Sequence, residues 1–462
     1  MGLTSGPNGA KAVFKEKFAS AFRNFDSLNQ ARTCVGVSRV QTLVVVDGNV
    51  LVMQVPQAVT TFRGYVEVMS NAIHGAILAG EHVVVVFDEP EHLTRAKQEE
   101  QAKRDARRAP QTPQCSDDVA RPCPTSDDYA KEELEASTTN VYLMVKNHRK
   151  TRPRFYDSLF AAVLENLTHM FADQDCAWSL TFDGIDARGM NRPVDAPREL
   201  GLLSSHPDVW KPVLTRETPI GEGDLKLTDV CHRVHTVRET HPESKLAQVR
   251  LNMISTIDTD SFMIELIAQS RREKREDTSN NELTLLCLRE PSRKRKDPAQ
   301  STPAHYTCVD IATFYDNVMA YMFGSRHLKP EIEARKPLAA LLLSASIALC
   351  GCDFVQVQGL RADLVLPCVR EIARNRPELL ALMAGVMTGE AGATRNASDA
   401  IEAVVNEFVT SITGLPRMQK ATHNASACSD LQILRACWTT AYWSAREFKD
   451  CHQWGFSHAA VD

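Results

Sequence analysis

Two short runs of β-branched residues, each leading into an aspartate, constrain the fold of this chain more than any other feature. The first run, TLVVVD, ends at Asp47, and the second, HVVVVFD, ends at Asp88. Residues 60–78, which lie between them, have the apolar spacing of a helix. Continuous apolar runs are typical of buried parallel strands, and a strand–helix–strand unit places its two strands in one sheet. The pattern predicts an α/β fold in which Asp47 and Asp88 lie close together on the sheet.

The rest of the chain extends this pattern into a mostly parallel, twisted sheet flanked by helices. Helices are predicted for FYDSLFAAVLENLTHMF and GEGDLKLTDVCHRVHTV, and strands for AWSLTFD, LNMIST and LTLLCL. Residues 185–218 are predicted to be irregular, and the chain beyond Asp310 to be helical. We expect one α/β domain over residues 1–370, with a helical arch and mobile loop at about 91–154, and a helical extension over residues 371–462.

The charge balance argues against a protein that coats nucleic acid by bulk attraction. The 462 residues have a formal net charge of −5, and the pI is near 6.3. Two segments differ from this average: residues 95–108 contain six basic side chains against three acidic ones, and residues 146–154 contain five Lys or Arg and no acid. An acidic chain with discrete basic segments fits an enzyme that holds a polyanion along a track.

Composition also bears on cellular location. No run of eighteen apolar residues occurs, and the N-terminal residues lack the apolar core of a secretory signal, so neither a membrane span nor export is expected. Thirteen cysteines, an odd number, indicate reduced thiols in the cytoplasm or nucleus. Cys350 and Cys352 fit small apolar residues of a buried segment better than they fit zinc ligands. Residues 293–296, RKRK, fit a nuclear localisation signal and a solvated basic loop equally well.

Seven acidic residues follow strand-like runs or stand in short loops between apolar segments: Asp47, Asp88, Glu222, Asp224, Asp258, Asp260 and Asp353. Phosphodiester hydrolysis needs an ionised water and stabilisation of charge on two oxygens, which a pair of Mg²⁺ ions about 3.5–4 Å apart supplies. Mg²⁺ prefers oxygen ligands, so two ions require several carboxylates. Without cations, such crowding would be costly. The pattern predicts a centre that holds two Mg²⁺ or Mn²⁺ ions.

These motifs resemble the metal-dependent 5′ nucleases, a superfamily with a PIN-like fold that includes the Xrn 5′-to-3′ exoribonucleases and the flap endonuclease/XPG group. Asp47-Gly48-Asn49 resembles the Xrn Asp-x-Asn strand end, RAKQEEQAKR resembles the segment after its second aspartate, and GEGDLK is similar to its Gly-Glu-Gly-Glu-x-Lys motif. GCDF, followed by QVQGLRADL, looks more like the flap-nuclease pattern. The resemblance covers the chain in patches up to about residue 368.

The resemblance implies roles for particular residues. All seven acids would bind metal and take part in catalysis, and Asn49 would bind substrate. Lys97, Gln101 and Arg104 would bind a 5′ phosphate, and their spacing puts them on one face of a helix. Lys97 would also stabilise charge on the scissile phosphate. The residue after Arg104 is Asp105, where the Xrn pattern has a second arginine.

The implied function is 5′-to-3′ exonuclease on a single-stranded 5′ end that passes through the arch, with 5′-monophosphate RNA favoured over DNA. The loose fit to the family would suit a divergent, virus-encoded enzyme. One alternative is a structure-specific DNA flap endonuclease, which GCDF and the turn at residues 358–361 favour, although that turn lacks the second glycine of the flap-nuclease pattern. The other is an inactive nuclease-like protein that binds nucleic acid or proteins; the retained acids count against it.

Each motif also has an ordinary interpretation when it is taken alone. The two acids of Asp258-Thr259-Asp260 fit a solvated turn, GEGDLK fits a helix cap, and residues 94–108 fit a charged surface helix. The nuclease prediction therefore depends on the order of the motifs along the chain and on the strands beside them.

Overall fold

The structure is a computed structural model that describes residues 10–56, 58–59, 61–89, 152–174, 176–185, 203–216, 220–257, 261–272, 282–290, 305–324, 339–340, 342–343, 346, 361–380, 382, 407–408, 410–416 and 418. Its strands are β1 (Phe22–Phe25), β2 (Thr42–Asp47), β3 (His82–Val86), β4 (Ser179–Asp183), β5 (Leu251–Thr256), β6 (Leu283–Glu290) and β7 (His305–Asp310). Its longer helices are α1 (Ala10–Lys17), α2 (Leu28–Cys34), α3 (Gly48–Met53), α4 (Phe62–Ala79), α5 (Arg152–Met170), α6 (Pro207–Leu214), α7 (Gly223–Thr240), α8 (Ser261–Arg272), α9 (Ile311–Phe323) and α10 (Ala362–Asn375).

The seven strands form one mixed sheet in the order β1-β7-β6-β5-β2-β3-β4. Five neighbouring strands, from β6 to β4, are parallel. At the other edge, β7 runs antiparallel to β6, and β1 runs antiparallel to β7. The predicted α/β class with a mostly parallel, helix-flanked sheet is therefore confirmed.

Helices cover both faces of this sheet. Side chains of the central strands point alternately to one face and to the other, so both faces are apolar and both are covered. Val45 and Val84 belong to one apolar cluster, which includes residues of α1 and of α6 to α10. Val44 and Val83 belong to a second cluster, with residues of α2 to α5. Alternate residues of a strand point to opposite faces, so a strand buried on both sides is apolar throughout. The TLVVV and HVVVV runs have this composition.

Most of the predicted helices and strands are present, and three elements of the structure, α6, β1 and β7, were not predicted. The helix predicted over residues 60–78 is α4, and the five predicted strands are β2 to β6. The prediction that residues 185–218 are irregular is wrong for α6, a helix that begins at a proline. β1 and β7 were not predicted at all. The boundary between residues 370 and 371 stays a prediction; it falls within α10.

The predicted arch at residues 91–154 lies almost entirely outside the described residues. No helix in the described parts of the chain is both long enough and apolar enough to cross a membrane.

Candidate functional site

The carboxyl ends of three neighbouring parallel strands bring acidic residues to one edge of the sheet. Asp47 ends β2 and stands opposite Val86 of β3 in the strand register. Asp183 ends β4 and stands opposite the same valine on its other side. Asp88 follows β3 two residues later. In open α/β sheets, ligands bind outside this edge.

Asp47 is the residue at which β2 changes into α3. Its carboxylate caps the helix, since Oδ1 accepts a hydrogen bond of 3.1 Å from the backbone N–H of Val50. Its side chain is almost completely buried. The next residue must be glycine, because a Cβ atom at Gly48 would lie 2.2 Å from the ring of Phe87. The packing of the start of α3 against Phe87 therefore depends on the Asp-Gly pair of the first motif.

The start of α7 meets the end of β3 at Asp88. The backbone N–H of Gly223 donates a hydrogen bond of 2.8 Å to Asp88 Oδ1. A Cβ atom at Gly223 would lie 3.0 Å from that oxygen and 3.7 Å from Asn49 Nδ2. Glu222 is buried and takes the N-cap position of α7, while Asp224 is half-buried in its first turn. The strand end at Asp88, Asn49 and the start of α7 thus lie within a few ångströms of one another.

A buried network of opposite charges lies directly beside this group. Arg216 donates to both oxygens of Asp183, at 3.1 and 2.8 Å, and its Nε lies 2.7 Å from Asp229 Oδ2. Lys226 Nζ pairs with Glu89 and lies 3.5 Å from Asp183 Oδ1. The side chains of Asp183 and Lys226 are 0% exposed, and that of Arg216 is 1% exposed. Buried charges at this density are tolerated because each one has an opposite partner.

The pKa of Asp183 reflects this pairing. Burial alone would raise the pKa of its carboxyl group, but the charges of Arg216 and Lys226 and their hydrogen bonds lower it to about 2. Burial lowers the pKa of Arg216, but its ion pairs and hydrogen bonds with Asp183 and Asp229 outweigh this effect and raise it. Asp183 is therefore an anion neutralised by two cations. It lies on the same edge as Asp47 but belongs to the structural network.

The structure describes five of the predicted site residues and brings them to one end of the sheet: Asp47, Asn49, Asp88, Glu222 and Asp224. The others lie outside the described residues: Asp258, Asp260, Asp353, Lys97, Gln101 and Arg104. β5 pairs with β2 and ends at Thr256, so the chain reaches the same edge just before Asp258. Within the described segments, no three His, Cys, Asp or Glu side chains are grouped so that they could hold a metal ion.

Sequence reasoning missed the buried network, including Lys226, Glu89, Asp183 and Arg216. Lys226 is part of the GEGDLK motif, and Glu89 directly follows Asp88, so both stand next to predicted site residues. The available signal was the density of charged residues beside apolar runs. Their pairing could not be predicted, because Glu89 and Lys226 are 137 residues apart.

Comparisons with known proteins give no family for the chain: no protein-family model matches it, and neither does any curated protein.

Proposed function

We propose that this chain is a two-metal-dependent 5′-to-3′ exonuclease with a PIN-like nuclease fold, which hydrolyses RNA that bears a 5′ monophosphate. The observation that supports this most is the hydrogen bond between Gly223 N and Asp88 Oδ1. Asp88 and Gly223 belong to two different motifs, and the sequence resemblance assigns both motifs to the same metal centre. The parallel order of β5, β2 and β3 supports the fold part of the proposal, since it directs the ends of all three strands to one edge.

The donor chemistry of the site suits Mg²⁺ or Mn²⁺. Asp47, Asp88, Glu222 and Asp224 offer only carboxylate oxygens, the ligands that these hard cations prefer. The described acids do not complete a site by themselves. The proposal therefore requires Asp258 and Asp260, which follow β5 in the sequence, and Asp353 as well. When bound, the two ions would ionise the attacking water and stabilise charge on the leaving oxygen.

The protein's own groups have separate tasks in this proposal. Asp47, fixed by its cap on α3, and Asp88, fixed by Gly223, hold their carboxylates still, so that ligand geometry is set before substrate arrives. The start of α7 presents backbone N–H groups and the positive end of a helix dipole to the same region. Lys97, Gln101 and Arg104 would bind the 5′ phosphate and so select the end of the strand.

The proposal is tested with purified protein and three substrates: 5′-monophosphate RNA, 5′-hydroxyl RNA and a DNA flap, each in Mg²⁺ or in EDTA. We expect stepwise release of nucleotides from the monophosphate RNA in Mg²⁺ only. Asp88→Asn should abolish this release. The matched control is Asp26→Asn, a change at an exposed carboxylate that contacts His305, and it should leave the rate unchanged.

Each other outcome points to a different function. Cleavage of the flap without cleavage of RNA would replace the exoribonuclease proposal with a structure-specific DNA endonuclease. Cleavage of nothing, together with binding of RNA or DNA, would favour an inactive nuclease-like protein. Activity that survives in EDTA, or in Asp88→Asn, would reject the two-metal mechanism.

A further inference from the structure

Lys226 is a fully buried cation whose three contacts converge on one tripeptide and its neighbour strand. Its Nζ donates a hydrogen bond of 3.0 Å to the backbone carbonyl of Phe87 and pairs with the carboxylate of Glu89. It also lies 3.5 Å from Asp183 Oδ1. Phe87 and Glu89 are the residues on either side of Asp88. The ammonium group therefore contacts both neighbours of a predicted metal ligand.

The tripeptide is held from two sides. From the segment around the start of α7, Gly221 O accepts a hydrogen bond of 2.8 Å from Glu89 N, and Gly223 N donates one of 2.8 Å to Asp88 Oδ1. From β4, Asp183 O accepts a hydrogen bond of 2.9 Å from Phe87 N. Lys226 links these two sides, because it belongs to α7 and contacts Asp183 of β4. Residues 87–89 have little freedom to turn while these contacts persist.

The space that Lys226 occupies exists because of Gly184. This glycine has a φ of +90°, and a Cβ atom there would lie 3.0 Å from Lys226 Nζ and 2.9 Å from the Phe87 carbonyl oxygen. Residue 184 therefore has a backbone conformation that residues other than glycine rarely adopt, at the point where the ammonium group of Lys226 meets the carbonyl group of Phe87. The glycine therefore leaves room for the contact between Lys226 and Phe87.

We propose that Lys226 is a positioning residue, which fixes the orientation of the Asp88 carboxylate by clamping Phe87 and Glu89 on either side of it. This inference rests on the proposed function for its consequence, the affinity of the site for divalent cations. Groups that orient metal ligands without touching the metal affect affinity by about 10- to 100-fold. A buried ion pair with a purely structural role would affect folding but leave the metal affinity of the folded protein unchanged.

The choice of variant matters because Lys226→Met alone leaves buried anions without their cation and endangers folding. The double variant Lys226→Met with Glu89→Gln removes one positive and one negative charge together, and Asp183 keeps its bidentate partner Arg216. The matched control is Arg233→Met. Arg233 pairs with Asp229 in the same network, at 3.0 Å, but among the described residues it makes no hydrogen bond or ion pair with residues 87–89.

The first measurement is Mn²⁺ binding to each purified, folded protein, followed by electron paramagnetic resonance of the free ion. We expect the double variant to bind Mn²⁺ about 10- to 100-fold more weakly than the unmodified protein, and the Arg233→Met variant to differ by less than about twofold. Hydrolysis should need correspondingly more Mn²⁺, with an unchanged KM for RNA at saturating metal. A folded double variant that binds Mn²⁺ as tightly as the unmodified protein would overturn the proposal.

The second measurement separates the clamp from the proposed function. Amide hydrogen exchange of the peptide that contains residues 87–89 should be at least about tenfold faster in the double variant and unchanged in Arg233→Met. If the unmodified protein binds no Mn²⁺, the proposed nuclease function fails, while faster exchange confined to the double variant still supports the clamp. Equal exchange in all three proteins would reject the clamp, whatever the metal does.

Discussion

Gly223 and Asp88 are 135 positions apart in the sequence, and a hydrogen bond of 2.8 Å from the backbone N–H of Gly223 to Asp88 Oδ1 joins them. The bond uses one of the N–H groups that have no partner within a helix at its start, and it places a carboxylate at the positive end of the helix dipole. The geometry also leaves almost no room for a side chain at position 223.

Gly223→Ala should therefore reduce activity with little change in stability. The added Cβ atom would lie 3.0 Å from Asp88 Oδ1, so the carboxylate must move by a few tenths of an ångström. We expect Mg²⁺-dependent hydrolysis to fall by about tenfold or more, since small displacements of catalytic groups are costly. Alanine is favoured over glycine by about 0.5–1 kcal/mol inside a helix, and at the start of α7 this preference offsets only part of the cost of the movement, so the free energy of unfolding should change little.

The matched control for this change is Gly75→Ala, in the exposed middle of α4, where a Cβ atom meets nothing within 4 Å. It should gain stability in urea unfolding and keep full activity. Equal activity of the two alanine variants would show that the contact between Gly223 and Asp88 does not matter for catalysis.

Gly184→Ala should lower the free energy of unfolding more than the same substitution at another glycine with positive φ. Gly36 has a φ of +73° and open space around it, so Gly36→Ala costs only the backbone strain, about 1–2 kcal/mol. Gly184→Ala adds close contacts with the Phe87 carbonyl and Lys226 Nζ, at 2.9 and 3.0 Å. Overpacking of this kind adds about 1–3 kcal/mol. Urea unfolding measures the loss of unfolding free energy in both variants. Equal losses would mean that the groups around Lys226 move aside at little cost.

Asp183→Asn should destabilise the protein strongly, because it leaves the buried cations Arg216 and Lys226 with one anion fewer. Breaking a buried ion pair in this way costs about 3–5 kcal/mol. The effect should depend on pH. The pKa of Asp183 is lowered to about 2 in the folded protein, from 3.8, so its contribution is complete above about pH 4 and is lost as the pH falls toward 2.

Urea unfolding of Asp183→Asn and the unmodified protein at several pH values checks this prediction. The difference in unfolding free energy between the two proteins should shrink as the pH falls below 4. A difference that stays constant down to the acid limit of folding would mean that folding does not lower the pKa of Asp183.

The central part of the fold could be predicted because its signals are local. β2, β3 and the helix between them are continuous or periodic apolar segments, and parallel strands joined by a helix must lie in one sheet. β1 and β7 gave no such signal: FRNF has no buried residue, and HYTCVD is buried only at its middle. α6 contains Pro212, a residue that breaks most helices, so its sequence favoured an irregular segment.

The candidate site was predictable where a residue stands at a strand end or helix start. Asp47 and Asp88 follow apolar runs directly, and Glu222 and Asp224 flank the glycine that begins α7. The charge network was not predictable, because its members come from the segment after β3, from β4, from the segment before α7, and from α7 itself. Which carboxylate meets which cation is decided by how α7 and the segment before it pack against the ends of β3 and β4, and nothing in the local sequence around Asp183 distinguishes it from a metal ligand.

The buried side chain of His82 should make the folded protein less stable in mildly acidic solution. The side chain is buried at the start of β3, where its Nδ1 lies 2.8 Å from Ser179 Oγ and its ring meets the edge of Trp210. Burial, together with the positive charges of Lys245 and Arg39, lowers the pKa of His82 from 6.5 to about 4. Between these two values the unfolded chain binds a proton that the folded protein does not. The unfolding free energy should therefore fall as the pH decreases from about 6.5 to 4, by up to about 3 kcal/mol from this residue.

The measurement is urea unfolding at intervals from pH 7 to pH 4 for the unmodified protein, His82→Gln and His241→Gln, in which the changed histidine is on the surface. Other groups titrate over the same interval, so the informative quantity is the difference between two proteins at each pH. The unmodified protein should lose stability more steeply than His82→Gln, because glutamine has no proton to take up on unfolding. His241→Gln should follow the unmodified protein. Parallel curves for the unmodified protein and His82→Gln would mean that His82 accepts its proton as readily in the folded state as in the unfolded chain, and that burial at the start of β3 does not exclude the charged imidazole.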